Sequence, residues 1–74
     1  MSDTPTAEEI AQRYSAAMDS VNLINDLMAQ DSRTTEEQET VARNVEHLQI
    51  MVAKTYWTDA QDLAPLNAAI TAGS

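Results

Sequence analysis

The sequence predicts an all-α fold, an antiparallel helical hairpin followed by a short third helix at the C-terminus. Two observations carry the hairpin. Ile10, Tyr14, Ala17, Val21, Ile24 and Met28 recur at alternating steps of four and three residues, and Val41, Val45, Leu48 and Val52 do so again. Each set places one apolar stripe on one face of a helix. Between them lies a polar break, Asp31-Ser32-Arg33-Thr34-Thr35. A third observation is negative: no run of residues alternates apolar and polar with period two, so no strand is expected.

The elements follow in order. Residues 1 to 5 read as a frayed lead ending at Pro5. Thr6 and Glu9 form a capping box, in which the Thr6 hydroxyl accepts from the Glu9 amide and the glutamate reaches back. Glu8 and Glu9 also sit where the helix dipole favours negative charge. The first helix is expected over residues 7 to 30. Asp26 and Asp31 lie near its end, where negative charge is unfavourable, so fraying is expected there.

The second helix has two possible starts, Thr34 with Glu37 or Thr35 with Gln38, and acids crowd the first turn. It is expected over residues 36 to 56, with Lys54 placed against its C-terminal dipole. Glu9 with Arg13 and Glu39 with Arg43 are spaced i,i+4 in the favourable order, worth a few tenths of a kcal/mol each. Tyr56-Trp57-Thr58-Asp59 breaks the pattern. A third helix is expected over residues 63 to 72, with Asp62 as its N-cap, Pro65 within its first turn and Gly73 as its stop.

Antiparallel packing pairs Met28 with Val41, Ile24 with Val45, Val21 with Leu48 and Ala17 with Val52. Two apolar groups remain. One is a stripe beside the first seam, Ala16, Leu23 and Leu27 with Ser20 between turns. The other is Ile50, Ala53 and Trp57. A short helix carrying Leu63, Leu66 and Ile70 covers only one of them, and chain connectivity favours Ile50 and Trp57. Ala16, Ser20, Leu23 and Leu27 are then the expected partner interface. Should the third helix cover that stripe instead, Ile50, Tyr56 and Trp57 are the alternative.

Composition narrows the function. Seventy-four residues make one small domain, which buries a smaller share of its surface than a larger one. There are no cysteines, so neither a disulfide nor a thiolate metal site supports the fold. Self-association or docking on something larger is the remaining support, and a homo-oligomer is expected. No apolar run is long enough to span a membrane, and Met1-Ser2-Asp3-Thr4-Pro5 carries no secretory signal. The expected setting is soluble, a host cytoplasm or a virus particle. Twelve Asp and Glu against four Lys and Arg give a net charge of −8. Such a surface repels nucleic acid and anionic lipid and favours basic partners.

No group of residues builds a reaction centre or a cofactor site. His47 is the only histidine. Arg43 and Glu46 lie near it, with no nucleophile close in sequence, and it reads as a surface residue. A four-helix carboxylate site needs Glu-x-x-His, and Asn44 stands three before His47. Glu36, Glu37 and Glu39 read as a charged first turn rather than a cation site. Phosphate cradles need glycine-rich loops, and the chain has one glycine. Tyr56 and Trp57 read as a plug between hairpin and third helix. No enzyme activity, cofactor or metal is expected.

The stretch Arg43-Asn44-Val45-Glu46-His47-Leu48-Gln49-Ile50-Met51, with Tyr56-Trp57-Thr58 and Asp62-Leu63-Ala64-Pro65-Leu66-Asn67-Ala68-Ala69-Ile70, resembles the C-terminal half of short bacteriophage-encoded helical proteins. The likeness spans about residues 36 to 73, and its motifs are helix-packing residues. It implies a phage genome, in which small acidic helical proteins serve as virion accessory parts (capsid cement, head or tail) or as inhibitors of host machinery. A virion part that oligomerises or docks on a larger protein is the leading expectation. An acidic inhibitor of a host nucleic-acid-binding or defence protein comes second. Third is the outline of phage helical hairpins that sequester cyclic nucleotides. Those need basic residues around phosphates, and Arg13, Arg33, Arg43 and Lys54 are the whole basic inventory here.

Overall fold

A computed structural model describes residues 4 to 74; within them the chain is all-α and contains no strand. The three helices are α1 (Ala7–Met28), α2 (Thr35–Val52) and α3 (Ala64–Gly73). Residues 1 to 3 of the expected lead lie outside the described part.

Both long helices begin at a capping box. The Thr6 hydroxyl accepts from the Glu9 amide at 3.1 Å, and the Glu9 carboxylate accepts from the Thr6 amide at 2.9 Å. Thr34 and Glu37 repeat the arrangement at the same two distances. Of the two possible starts of α2, the chain uses Thr34 with Glu37, and that pairing satisfies two otherwise orphaned amides at once.

The helix ends differ from expectation. α1 stops at Met28 with Ala29 as its cap, two residues before Gln30. No basic residue stands in its last turn. The Arg33 guanidinium reaches back instead, donating to the carbonyls of Leu27 and Gln30 at 3.2 and 3.1 Å. α2 ends at Val52 rather than near Tyr56. The Met51 carbonyl accepts both the Lys54 amide at 3.1 Å and the Trp57 indole N–H at 2.8 Å. Those bonds take the place of continued helical ones and turn the chain away.

At α3 the backbone cap is Leu63, not Asp62. The Asp62 carboxylate still accepts from the Ala64 amide at 3.0 Å, so it caps from one residue further out. Gly73 does not stop the helix by a left-handed turn. It is the last helical residue, and no glycine among the described residues has positive φ. Its role is clearance. A Cβ built at Gly73 would lie 2.5 Å from Val45 Cγ2, 3.0 Å from Val41 Cγ1 and 3.4 Å from Ile24 Cγ2.

That contact also locates α3. It lies in the groove between the hairpin helices, and each helix packs against both others. Leu66 and Ala69 are fully enclosed in a common core with Ala17, Val21, Ile24, Leu27, Val41, Val45, Leu48 and Met51. Tyr14, Met18, Met28, Val52, Trp57, Leu63 and Ile70 pack around it. Every seam residue of the hairpin is thus buried or half-buried, as the heptad spacing predicts. Burying one such aliphatic side chain contributes about 1.5–3 kcal/mol. No polar or charged side chain is buried among the described residues.

The third helix corrects the expected division of surfaces. In a two-helix seam each helix faces one neighbour. In a three-helix bundle each faces two, so a wider apolar arc is buried. Leu27 on α1 and Met51 on α2 supply that extra width, at 9% and 8% exposure. Leu27 therefore belongs to the core and not to an uncovered stripe. Ile50, expected beneath α3, stays 53% exposed on the outer face of α2.

Candidate functional site

The expected interface residues separate in space. Leu23 remains 40% exposed on α1, with Ala16 exposed about two turns before it and Ser20 half-buried between. Leu27, the fourth, faces inward. Of the alternative set, Ile50 is exposed, whereas Tyr56 and Trp57 are half-buried. The structure brings the last two together with Tyr14 and Arg13 of α1.

Those four residues brace the connection between α2 and α3. The Tyr56 and Trp57 rings lie 4.8 Å apart between centroids, tilted by 60°. Tyr14 meets Trp57 edge-on at 6.1 Å. The Arg13 guanidinium sits 5.0 Å over the Tyr56 ring, where the ring's negative face attracts a cation. Glu9, its expected ion-pair partner, is held in the capping box, and the Arg13 charge also helps to hold its carboxyl low. Arg43 does reach Glu39, at 3.9 Å and in full view of solvent. Two side-chain bonds fix the brace: the Trp57 indole N–H donates to the Met51 carbonyl at a half-buried position, and the Tyr14 hydroxyl donates to the Asp62 carbonyl at 2.6 Å.

Beyond the brace the connection folds into a small turn. Gln61 Oε1 accepts from the Thr58 amide and hydroxyl at 3.0 and 2.8 Å. The Ala60 amide donates to the Thr58 hydroxyl at 3.2 Å. This turn faces the start of α1 and encloses a cleft of about 490 Å³. Pro5, Ala7 and Ala11 form one wall, and Ile10, 5% exposed, forms part of the floor. Tyr56, Ala60 and the Thr58–Gln61 pair form the other. The volume lies within the range of ligand-sized concavities, and the lining is chiefly apolar.

Electrostatically the molecule carries its charge on the outside. Backbone hydrogen bonds from Thr6 and Thr34 hold the Glu9 and Glu37 carboxyls below their ordinary range. His47 is exposed on α2. Among the described residues no three His, Asp or Glu side chains converge on a point that would hold a metal ion, and no helix is long and apolar enough to cross a membrane.

The sequence held one signal for this cleft that periodicity alone does not reveal. Ala7 and Ala11, four residues apart, place two small side chains on one flank of α1 beside Ile10. Their meaning depends on where Ala60 returns, and that is set by the tertiary brace.

Compared with known proteins, the chain matches no family model, no curated protein and no solved structure.

Proposed function

We propose that this chain is a non-enzymatic interaction protein, a phage virion accessory component that associates with itself or docks on a larger shell or tail protein. One observation carries the interaction reading. The bundle completes its interior, yet Leu23 and Ile50 remain exposed at 40% and 53% on helices whose seams are already filled. Large aliphatic side chains left outside a complete core are candidates for contact with another surface. The phage context comes from the resemblance of residues 36 to 73. The expected interface centred on Leu23, Ala16 and Ser20 stays part of the proposal, with Ile50 as the alternative centre and Leu27 supporting from beneath.

A second reading, the acidic inhibitor of a basic host protein, is favoured by a different observation. A net charge of −8 sits on a bundle with no buried charged group among its described residues. That arrangement presents the charge outward to a basic partner. Mass spectrometry of purified particles of the encoding phage separates the two. A virion part is recovered at fixed stoichiometry after stringent washing. Recovery only from the soluble fraction of infected cells, bound to a basic host protein, removes the virion reading in favour of the inhibitor. Recovery only as free monomer removes both.

A further inference from the structure

We propose that the cleft between the start of α1 and the turn at residues 58–61 receives one apolar side chain carried on a basic segment of a partner protein. The proposal rests on the interaction reading above and specifies what one surface recognises.

Shape is the first argument. Three alanines, Ala7, Ala11 and Ala60, line a space of about 490 Å³ that larger residues at those positions would close. Its floor includes the nearly covered Ile10. A branched aliphatic side chain entering the cleft exchanges water for apolar walls on several sides, the geometry of an anchoring pocket.

Preorganisation is the second. The wall that carries Tyr56 and Ala60 is pinned by Trp57 and Arg13 and by the bonds between Thr58 and Gln61. The α1 wall is pinned by the Thr6–Glu9 capping box. A site already ordered before binding loses little conformational freedom on occupation.

Charge is the third, and it selects the partner. The lining positions are interleaved in sequence with exposed acids: Glu8 and Glu9 follow Ala7, Asp59 precedes Ala60, and Asp62 follows Gln61. Against these four acids stand two cations, Arg13 over the Tyr56 ring and the exposed Lys54 two residues before it. The potential around the mouth is therefore negative, reinforced by the net charge of the whole chain. Lysine or arginine beside the entering side chain meets complementary charge, whereas an acidic segment is repelled.

The test is a titration of the isotopically labelled full chain, followed by amide NMR, with three blocked pentapeptides. Lys-Lys-Leu-Lys-Lys is expected to shift the amides of Ala7, Ala11 and Ala60, with an affinity that falls as salt is raised. Glu-Glu-Leu-Glu-Glu and Lys-Lys-Ser-Lys-Lys are each expected to bind at least roughly tenfold more weakly. Ala11→Leu, at an exposed position of α1, fills the cleft and abolishes the shifts while keeping the helical spectrum. Ala60→Leu repeats the test from the other wall should the first variant misfold.

The proposal is overturned by equal binding of the serine peptide, which makes the contact purely electrostatic. Equal binding of the glutamate peptide, or of blocked leucine alone, removes the basic segment. Shifts of the same amides on raising protein concentration without peptide give the cleft to a second copy of the chain. Absence of shifts at these amides with the lysine–leucine peptide also overturns it. None of these results alters the particle experiment, so the failure of this inference is distinguishable from failure of the interaction reading.

Discussion

Replacing Gly73 with alanine should destabilise the bundle, although alanine is the better helix former. Two effects oppose each other. In a helix interior alanine is favoured over glycine by about 1 kcal/mol, and at a terminal residue such as Gly73 the gain is smaller. Against it stands the clash. The new Cβ would sit 2.5 Å from Val45 Cγ2 and 3.0 Å from Val41 Cγ1, so something must move. Both neighbours are β-branched residues on a helix, where one χ1 rotamer dominates, and neither methyl swings away cheaply. Overpacking of this kind typically costs 1–3 kcal/mol, and unwinding the last turn of α3 limits the loss. A net destabilisation of about 1 kcal/mol follows, lowering Tm by roughly 4–8 °C for a domain of this size. Thermal unfolding by circular dichroism measures it. Val45→Ala removes the nearer methyl, so the double variant should be more stable than the sum of the two single losses, with a coupling of about 0.5 kcal/mol or more. A Gly73→Ala variant as stable as the parent, or additive with Val45→Ala, would refute the close approach of α3 to the hairpin.

Val45→Asp places an unpaired carboxylate among Val41, Ile24 and Leu48 and should cost about 4 kcal/mol or more, enough to unfold so small a chain, as a lost helical spectrum at neutral pH would register. Tyr14→Phe removes the hydroxyl that donates to the Asp62 carbonyl and should cost about 0.5–1.5 kcal/mol, with hydrogen exchange accelerating first between residues 58 and 66; uniform acceleration across α2 would contradict a local role. Acid should weaken the two capping boxes. Glu9 and Glu37 titrate below their ordinary value of 4.5 in the folded chain, so the unfolded chain binds more protons near that pH. Their stabilisation is complete above about pH 4.5 and is lost as pH falls through the lowered folded values. A Thr6→Val, Thr34→Val variant should show a shallower fall of urea midpoint from pH 6 to pH 3 than the parent, a comparison in which the general loss of carboxylate charge cancels.

The hairpin was legible in the sequence because its signals are local and redundant. Thr6 with Glu9 announces one helix, Thr34 with Glu37 another, and the seam residues repeat at a spacing that only one face of a helix satisfies. Asp62 and Pro65 marked the third start to within a residue. What escaped depends on the third helix. Leu27 and Met51 look like flanking residues until α3 enters the groove and demands a wider buried arc. Gly73 looks like a stop signal, because a glycine after a helical pattern usually supplies a left-handed turn, whereas here the constraint is the distance to Val45 and Val41. The pattern of α2 runs on in sequence to Tyr56, but the helix ends at Val52. No propensity rule shows that Trp57 would take the Met51 carbonyl and end the helix four residues sooner. The cleft escaped for the same reason: its two walls are about fifty residues apart in sequence and meet only after that turn.

An apolar core with no buried polar group has little intrinsic resistance to one helix sliding along another, since side chains of similar size repack at modest cost. In this bundle the register of α3 is set from its two ends instead. At its start, the Tyr14 hydroxyl holds the Asp62 carbonyl and the Asp62 carboxylate holds the Ala64 amide. At its end, only glycine fits against Val45 and Val41. A slip of one turn would break the bond from Tyr14 to Asp62 and bring a residue with a Cβ, Ala69 or Ile70, to the second contact. The same start-side bonds position the connection that carries Tyr56, Thr58 and Ala60. Fixing α3 along the groove therefore fixes the outer wall of the cleft relative to Ala7 and Ala11. Stability of the bundle and shape of the proposed binding site depend on one set of contacts, so a variant that loosens Tyr14 or Trp57 should weaken peptide binding before it unfolds the chain.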